Sequence, residues 1–373
     1  MSQPTYPAAQ IVARTVESHF ALARRGAERE LGDPPTAAIV QAIVDAAFWA
    51  SLRREEGKTP RISLVWLPPE RARHALVFEE ALPLAPAMLA KVAPAVERPG
   101  IHLGVWGPSS DQLQVWGTTR DVPEQSLVIE VVASGLIVVK QRSEPFGKFV
   151  NVAVLEGDQI KIVDPGVGTA EPDCPAVVTS LLGTIDRTTP TGLSAVMVQL
   201  AASMQAHGRG GALLVVPTGD EGWRESVVRP VLYSVNPPFS ELAELLRHRH
   251  SGADGGEDLR RAVDAVAGLT AVDGATIMND RYDVLAFGAK IRRRRGSAPV
   301  EQVTVTEPIE GSVTSRVTPT QLGGTRHLSA AQFVYDQRGA TALVASQDGR
   351  FTIFKWSAHL DEVHAHRVDA LLL

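Results

Sequence analysis

The sequence predicts a mixed α+β or α/β protein of two domains, for three reasons. The chain has 373 residues, a length that corresponds to two domains of ordinary size. Apolar residues recur first at helical spacing and then in short alternating runs, which predicts a helix-plus-antiparallel-β N-terminal domain. From about residue 193 strands alternate with helices, which predicts a C-terminal domain with a central mixed β-sheet flanked by helices.

Two helices are predicted between Ala8 and Leu52. Their apolar series are Ile11, Val12, Val16, Phe20 and Ala23, and then Ile39, Ile43, Ala47 and Leu52. Short apolar or alternating runs follow, separated by turn signals such as Glu156-Gly157-Asp158. The runs are 62–67, 101–106, 113–116, 127–132, 136–139, 149–155 and 159–163. We therefore expect an antiparallel β region that ends near Pro165.

A stretch rich in Gly, Pro and Thr then separates the two domains, although 176–182 can form a short helix. The predicted division is a first domain at 1–170, a linker at 171–192 and a second domain at 193–373. Helices are predicted in the second domain at 194–206, 240–249, 259–267, 328–338 and 358–373. Strands are predicted at 212–216, 275–278, 283–287, 341–346 and 351–356, with a polar loop at 251–257 and a long polar insertion after Phe287.

Composition and charge exclude several classes of protein. The net charge of −5 removes the overall positive field of a general nucleic-acid binder. Cys174 is the only cysteine, which excludes a disulfide framework and a cysteine-based zinc site. The start of the chain lacks the basic-then-apolar order of a signal peptide, and polar residues interrupt the most apolar stretch, 126–140. We expect a cytoplasmic protein that neither spans a membrane nor binds nucleic acid.

One candidate site precedes a predicted helix, at Gly323-Gly324-Thr325-Arg326-His327. The amino terminus of a helix carries unpaired N–H groups and the positive end of the macrodipole, so it attracts phosphate. Thr325 can hydrogen-bond a phosphate oxygen, the fork of Arg326 matches phosphate geometry, and His327 adds a donor or a metal ligand. The alternative is a capped helix after a glycine turn, with Arg326 on the surface.

Two shorter segments are candidates on weaker grounds. Asp273-Gly274-Ala275 leads into a strand, so its carboxylate can meet a hydroxyl or a metal, but an Asp-Gly turn is the simpler interpretation. Val344–Gly349 lies between two strands and is interpreted first as a hairpin turn. Within it, Ser346 and Asp348 can direct oxygens at a phosphate or a cation.

The order of these segments resembles the diadenylate cyclase domain family, the catalytic domain of the DNA-integrity-scanning cyclases and their membrane-bound relatives. The resemblance covers about residues 193–356. It consists of the glycine-led strand 210–216, the Asp-Gly-Ala segment at 273–275, Gly324-Thr325-Arg326-His327, and the strand 342–346 that ends in a serine.

The resemblance implies a reaction and a set of roles. Two ATP-loaded domains face each other, and each 3′-hydroxyl attacks the α-phosphate of the partner's ATP, releasing pyrophosphate. Asp273 would act on the hydroxyl and, with Asp348, help to hold Mg²⁺ or Mn²⁺. Gly274 and Ala275 would line the nucleotide pocket. Gly324 and Thr325, together with Arg326 and His327, would hold the phosphates, and Ser346 would contact the phosphate chain.

The sequence departs from the family pattern in three places. Leu328 stands where the family has a second arginine, and Ser346-Gln347-Asp348 replaces Ser-Glu-Glu. The segment between Asp273 and Arg326 is longer than usual and carries four consecutive arginines, 292–295. These arginines are interpreted either as a solvated loop or as a replacement for the missing guanidinium.

The first ~165 residues show no catalytic constellation. Ala47-Phe48-Trp49-Ala50-Ser51-Leu52 and Phe149-Val150-Asn151-Val152 resemble the sensor region that precedes some cyclase domains. The leading hypothesis is a cyclase regulated by this region, which self-associates face to face. The rival is a nucleotide-binding sensor on the same fold without turnover, and a protein without a ligand is third. A metal site at His359, His364 and His366 is not expected, because these side chains do not share a face of the predicted C-terminal helix.

Overall fold

The computed structural model describes residues 5–25, 34–143, 148–169, 172–183, 191–249 and 256–373. The chain divides into an N-terminal unit, residues 1–163 with Leu373, and a C-terminal unit, residues 164–372. Most of the polar loop predicted at 251–257, and residues 184–190 of the predicted linker, lie outside the described residues. Among the described residues, no helix combines the length and the apolar character needed to cross a bilayer.

The N-terminal unit consists of three helices and one sheet over its described residues. The helices are α1 (Pro7–Arg25), α2 (Ala37–Ser51) and α3 (Pro86–Val92). The strands are β1 (Ile62–Trp66), β2 (Leu76–Pro83), β3 (His102–Trp106), β4 (Gln114–Thr119), β5 (Leu127–Ala133), β6 (Leu136–Ser143), β7 (Lys148–Glu156) and β8 (Gln159–Ile162). The order in the sheet is β2-β4-β3-β1-β5-β6-β7-β8.

The two N-terminal helices form because one face of each is apolar and the sheet buries it. Thr36 begins α2, since its side-chain oxygen accepts a hydrogen bond from the backbone N–H of Ile39. Val12 of α1 and Ile43 of α2 are almost fully buried in a core that continues through β5, β6 and β7. The expected helix-plus-β organisation is therefore confirmed.

The arrangement of the sheet differs from the prediction at two points. β1 and β3 pair in parallel, so the sheet is mixed rather than fully antiparallel. β2 and α3, which lie between β1 and β3 in the chain, were not predicted from the sequence. β2 is an edge strand with mostly exposed side chains, so its sequence carries no alternation of buried and exposed positions. The segment that contains β2 and α3 is the connection that a parallel pair requires.

The C-terminal unit follows the predicted alternation more closely. Its helices are α4 (Pro165–Gly168), α5 (Ala176–Leu181), α6 (Thr191–Ala206), α7 (Glu241–Arg249), α8 (Gly256–Thr270), α9 (Pro319–Leu322), α10 (Thr325–Asp336) and α11 (Asp369–Leu372). Its strands are β9 (Gly211–Val216), β10 (Tyr233–Phe239), β11 (Ala275–Asn279), β12 (Val284–Ala289), β13 (Val303–Thr306), β14 (Ser315–Val317), β15 (Thr341–Ala345), β16 (Phe351–Ser357) and β17 (Glu362–Arg367).

The strands of this unit form one mixed sheet in the order β10-β12-β11-β9-β15-β16-β17-β13-β14. Its parallel pairs are β9 with β11 and β13 with β17. Helix α10 packs on one face, where its Phe333 shares a core with Leu214 and Phe354 of the sheet. Leu213 and Leu343 point to the opposite face by strand alternation and are also fully buried, and α6 and α8 contact the same strands. The predicted central mixed sheet flanked by helices is confirmed.

The prediction of a helix at 358–373 is wrong. Glu362–Arg367 is strand β17, which lies between β13 and β16, and only a short helix, α11, follows it. Glu362–Arg367 alternates polar and apolar residues, as a strand does, but the helix prediction gave more weight to the apolar residues spaced along the whole stretch 358–373. His364 and His366 share one face of the strand, with ring centroids 4.0 Å apart, so the expectation that they face differently is also wrong.

The polar insertion predicted after Phe287 is not structureless. It contains β13, β14 and α9. Val303 and Val305 of β13 are buried in the core of the unit. Val303-Thr304-Val305-Thr306 alternates and is entirely β-branched, so the sequence carried a strand signal that the prediction did not use.

Candidate functional site

Four strand ends meet at one edge of the C-terminal sheet. The parallel strands β9 and β11 both begin at this edge, at Gly211 and Ala275. The antiparallel partners end there, because Ala345 of β15 pairs with Gly211 and Ala289 of β12 pairs with Ala275. The segments that precede 211 and 275 and follow 289 and 345 are therefore brought to one place by the register of the sheet.

A cavity of about 580 Å³ lies at this edge. Its wall includes the eight side chains or backbone segments that the sequence analysis assigned to substrate contact, namely Asp273, Gly274, Ala275, Gly324, Thr325, Arg326, His327 and Ser346. Positions as distant in the chain as 273 and 346 thus line a single cavity. Asp348 does not belong to the wall.

Helix α10 begins at the cavity wall. Its N-cap is Gly324, which has no side chain to accept a hydrogen bond from the first turn. The first N–H groups of a helix have no partners within the helix, and together with the macrodipole they favour an anion at this end. Thr325 is exposed at the first position of the helix. This end of the cavity therefore suits a phosphate group.

Arg326 supplies a cation beside that helix end. Its Nη1 lies only 2.9 Å from the position where a Cβ on Gly210 would stand, so the glycine makes room for the guanidinium. Within the described part of the chain, Arg326 makes no ion pair at salt-bridge distance. Its donors are therefore available to a ligand in the cavity.

Asp273 is exposed on the wall and pairs with Lys290. The Nζ of Lys290 donates a hydrogen bond to Oδ2 of Asp273. This hydrogen bond and the charge of Lys290, with a smaller contribution from Arg326, lower the pKa of Asp273 below its ordinary value. The carboxylate is consequently ionised at neutral pH and has two cations near it.

His327 enters the site as a neutral ring. It is 2% exposed, its ring packs against Gly323, and it meets Phe354 edge to face. Burial lowers the pKa of His327 to about 4, so the ring carries no charge at pH 7. Its Nε2 has no hydrogen-bond partner among the described residues. The imidazole can donate or accept a hydrogen bond, but it adds no positive charge to the cavity.

Because of His327, the folded protein is expected to lose stability as the pH falls. The pKa of the buried ring is about 4, below its ordinary value of 6.5, so between these values the unfolded chain binds a proton that the folded chain does not. The free energy of unfolding therefore falls as the pH drops from about 6.5 to about 4. We expect His327→Gln to lose less stability than the parent chain between pH 7 and pH 4.5, as measured by urea unfolding. The exposed His359→Gln is the control, and an unchanged pH dependence in H327Q would contradict the assignment.

The segment after β15 contributes its first two residues to the wall. Ser346 and Gln347 line the cavity, and the side-chain amide of Gln347 donates to the backbone oxygen of Arg209 at 3.3 Å. Asp348 accepts a hydrogen bond from the Ser346 side chain, which lowers the pKa of the Asp348 carboxyl, and it pairs with Arg350 at 3.4 Å. The predicted pairing of Asp273 and Asp348 around one metal ion is therefore not assembled at the wall.

Two of the three departures from the family pattern, Leu328 and the arginine run, lie away from the cavity. Leu328 is partly buried against the core of the unit and is absent from the wall. The four arginines 292–295 are exposed and also absent from the wall, and Arg294 pairs with Glu225 at 2.7 Å. The geometry favours the solvated-loop interpretation of this run over the replacement of the missing guanidinium.

Lys290 is the residue that the sequence analysis missed. It lines the cavity directly after β12, next to Ala289 and Ile291. The predicted strand-turn-strand 275–287 indicated two neighbouring strands but not their register. Antiparallel pairing of Ala275 with Ala289 brings position 290 opposite the segment that carries Asp273.

Gly274 is required by a close approach of two backbones. Its φ is +119°, and a Cβ at this position would stand 2.4 Å from the carbonyl carbon of Gly288. We expect Gly274→Ala to lower the free energy of unfolding by ~2–3 kcal/mol, measured by urea unfolding. Gly296→Ala is the matched control, because Gly296 also has a positive φ but open space around it. Equal losses in the two variants would contradict the steric argument.

The comparison with known families concerns the N-terminal unit. Residues 29–120 match the model of a family described as probable sensor domain DACNV. The matched segment includes α2, α3 and β1 to β4. No curated protein matches the chain. The match supports a sensor role for the N-terminal unit, and it does not extend to the residues of the cavity.

Proposed function

We propose that the C-terminal unit binds ATP in the cavity and joins two ATP molecules into cyclic di-AMP, with release of pyrophosphate, under the control of the N-terminal unit. The observation that carries the proposal is the convergence on one cavity of 273–275, 324–327 and Ser346. These are the segments whose order in the sequence resembles the diadenylate cyclase family. A chance resemblance of short segments gives no reason for them to meet in space.

The electrostatics of the cavity suit a polyphosphate. Arg326 and Lys290 are the two cations of its wall among the described residues, and the amino terminus of α10 adds a partial positive charge. Against these stands one carboxylate, that of Asp273. A volume of about 580 Å³ also falls within the range of small-molecule sites.

The proposed reaction assigns chemistry to these groups. The 3′-oxygen of one ATP attacks the α-phosphorus of the other, the bond to the bridging oxygen of pyrophosphate breaks, and repetition with exchanged roles closes the ring. Asp273, ionised at neutral pH, accepts the proton of the attacking hydroxyl. Arg326 and the helix amino terminus hold the phosphates in position, which is most of what phosphoryl transfer requires of a protein. The reaction needs two cavities face to face, so self-association is part of the proposal.

The experiment that tests the proposal uses the full chain. Purified protein is incubated with ATP and either Mn²⁺ or Mg²⁺, and cyclic di-AMP and pyrophosphate are followed in time. Cyclic di-AMP and pyrophosphate in a 1:2 ratio support the proposal. Nucleotide binding without product contradicts turnover, and absence of both product and binding contradicts the whole assignment. Competition of GTP against ATP establishes the base preference.

A second candidate function is nucleotide sensing without turnover. Three observations favour it. Leu328 packs against the core instead of lining the cavity, Gln347 is tied to the backbone of Arg209, and Lys290 engages the carboxylate of Asp273. Under this candidate, ATP binds with the same residues and cyclic di-AMP does not form, so the assay above separates the two functions.

The N-terminal unit enters the proposal as the regulator, and the cytoplasm is its proposed location. The match of residues 29–120 to a probable sensor domain supports the regulatory part. Neither the regulatory role nor the cytoplasmic location depends on the chemistry of the cavity.

A further inference from the structure

The charges of the cavity wall include a cation that neither the family resemblance nor the sequence motifs called for. Lys290 and Arg326 are positive, Asp273 is negative and His327 is neutral. The wall therefore carries a net positive charge of one before any ligand or ion is considered. Lys290 is half exposed, with a side-chain relative accessibility of 56%, so its ammonium can change partners without leaving a buried charge behind.

A divalent metal fits these residues poorly. Mg²⁺ and Mn²⁺ take carboxylate oxygens as ligands, but the described residues of the wall offer a single carboxylate, that of Asp273, beside the two cations Lys290 and Arg326. The second predicted ligand, Asp348, pairs with Arg350 and lies outside the wall. In the part of the chain that the structure describes, no three His, Cys, Asp or Glu side chains form a group able to hold a metal ion.

We infer that Lys290 is a phosphate-binding residue, and that the cavity holds the nucleotide's phosphates through Lys290 and Arg326 without a divalent metal. This inference rests on the proposed nucleotide site. It gives Lys290 the place of the cation that Leu328 does not supply.

The ion pair with Asp273 then positions Lys290 before a ligand binds. In the free protein the carboxylate holds the ammonium of Lys290 at the cavity wall. An arriving phosphate offers more negative charge and more acceptor oxygens than one carboxylate, so the ammonium exchanges Asp273 for the phosphate. The exchange breaks no covalent bond. It leaves the carboxylate of Asp273 free to accept a proton from a hydroxyl.

The test is the affinity for ATP in EDTA, measured by titration calorimetry on the full chain. We expect the parent chain to bind ATP in EDTA and Lys290→Met to bind it ~10-fold or more weakly, since one charge-assisted contact is lost. Lys290→Arg keeps the charge and is expected to bind within ~3-fold of the parent. Arg293→Met is the matched control, because it removes a neighbouring exposed cation that does not line the cavity. Melting temperatures verify that each variant folds.

A second variant, Asp273→Asn, distinguishes a phosphate-binding lysine from a metal site by the direction in which ATP affinity changes. Asp273→Asn removes the group that competes with phosphate for Lys290, so ATP affinity in EDTA is expected to stay equal or rise. If Asp273 instead holds a metal that bridges to ATP, the same variant weakens binding and the parent chain binds ATP only with Mn²⁺ or Mg²⁺. That result, or a K290M variant that binds as the parent does, overturns the inference and leaves the proposed function standing. Absence of ATP binding by the parent chain with and without metal overturns both.

Discussion

Asp273→Asn is expected to reduce the rate of cyclic di-AMP formation by ~10²- to 10⁴-fold, the range associated with the loss of a general base. The substitution keeps the size and the hydrogen-bonding oxygen of the side chain and removes only the basic carboxylate. Lys290, with a smaller contribution from Arg326, lowers the pKa of Asp273 below its ordinary value, so the parent chain presents the basic form at neutral pH. The measurement is the initial rate of cyclic di-AMP and pyrophosphate release from ATP.

A lower rate of cyclic di-AMP formation can come from a slower chemical step or from weaker ATP binding, so both quantities are measured. ATP affinity is measured on the same preparation, and it is expected to be retained, so the loss belongs to the chemical step. Asp258→Asn is the matched control, since Asp258 is an exposed aspartate of α8 that does not line the cavity. A D273N variant that turns over at the rate of the parent would exclude Asp273 as the base.

The order of elements could be predicted from the sequence wherever local periodicity is strong. The strand-turn-strand at 275–287 and the helix after Gly324 are present close to the expected residues. The two failures have different causes. β2 is exposed at most positions and its sequence does not alternate, whereas β17 alternates polar and apolar residues over only six positions within a longer stretch of spaced apolar residues. Their structure is decided by partners distant in the chain, namely β13 and β16 for β17 and β4 for β2.

The candidate site could be assembled from the sequence only in part. The order of the segments at 273–275, 324–327 and 346 predicted that they meet, and they line one cavity. The side-chain partners were not predictable in the same way. The pairing of Lys290 with Asp273 follows from the register of β11 and β12, and that of Asp348 with Arg350 from the turn between β15 and β16. Register is set by the whole sheet, which no short segment encodes.

Burial explains a second difference between the predicted and the observed site, the state of His327. The sequence offers His327 as a donor or a metal ligand, and nothing in Gly324-Thr325-Arg326-His327 decides its charge. Helical geometry gives the answer, because a residue two positions after Thr325 turns toward the core, where the ring meets Phe354. Burial then keeps the ring neutral, which leaves Arg326 as the charged member of the segment.

Arg326→Met is expected to weaken ATP binding by ~10²-fold and to reduce cyclic di-AMP formation at least as much. Methionine keeps much of the hydrocarbon stem beside Gly210 and removes the guanidinium. The guanidinium has no competing ion pair at salt-bridge distance among the described residues, so its donors are available in the free protein and no partner is left unpaired when it is removed. Calorimetry in EDTA gives the affinity, and the product assay gives the rate.

Two further variants determine what the guanidinium contributes. Arg326→Lys keeps the charge but not the planar fork, so an affinity between those of the parent and R326M indicates bidentate recognition of phosphate. Arg293→Met again serves as the control for a generic loss of positive charge. If R326M bound ATP as tightly as R293M does, the amino terminus of α10 and Lys290 would have to hold the phosphates alone. The convergence of 273–275 and 324–327 on one cavity would then not reflect recognition of a nucleotide by Arg326.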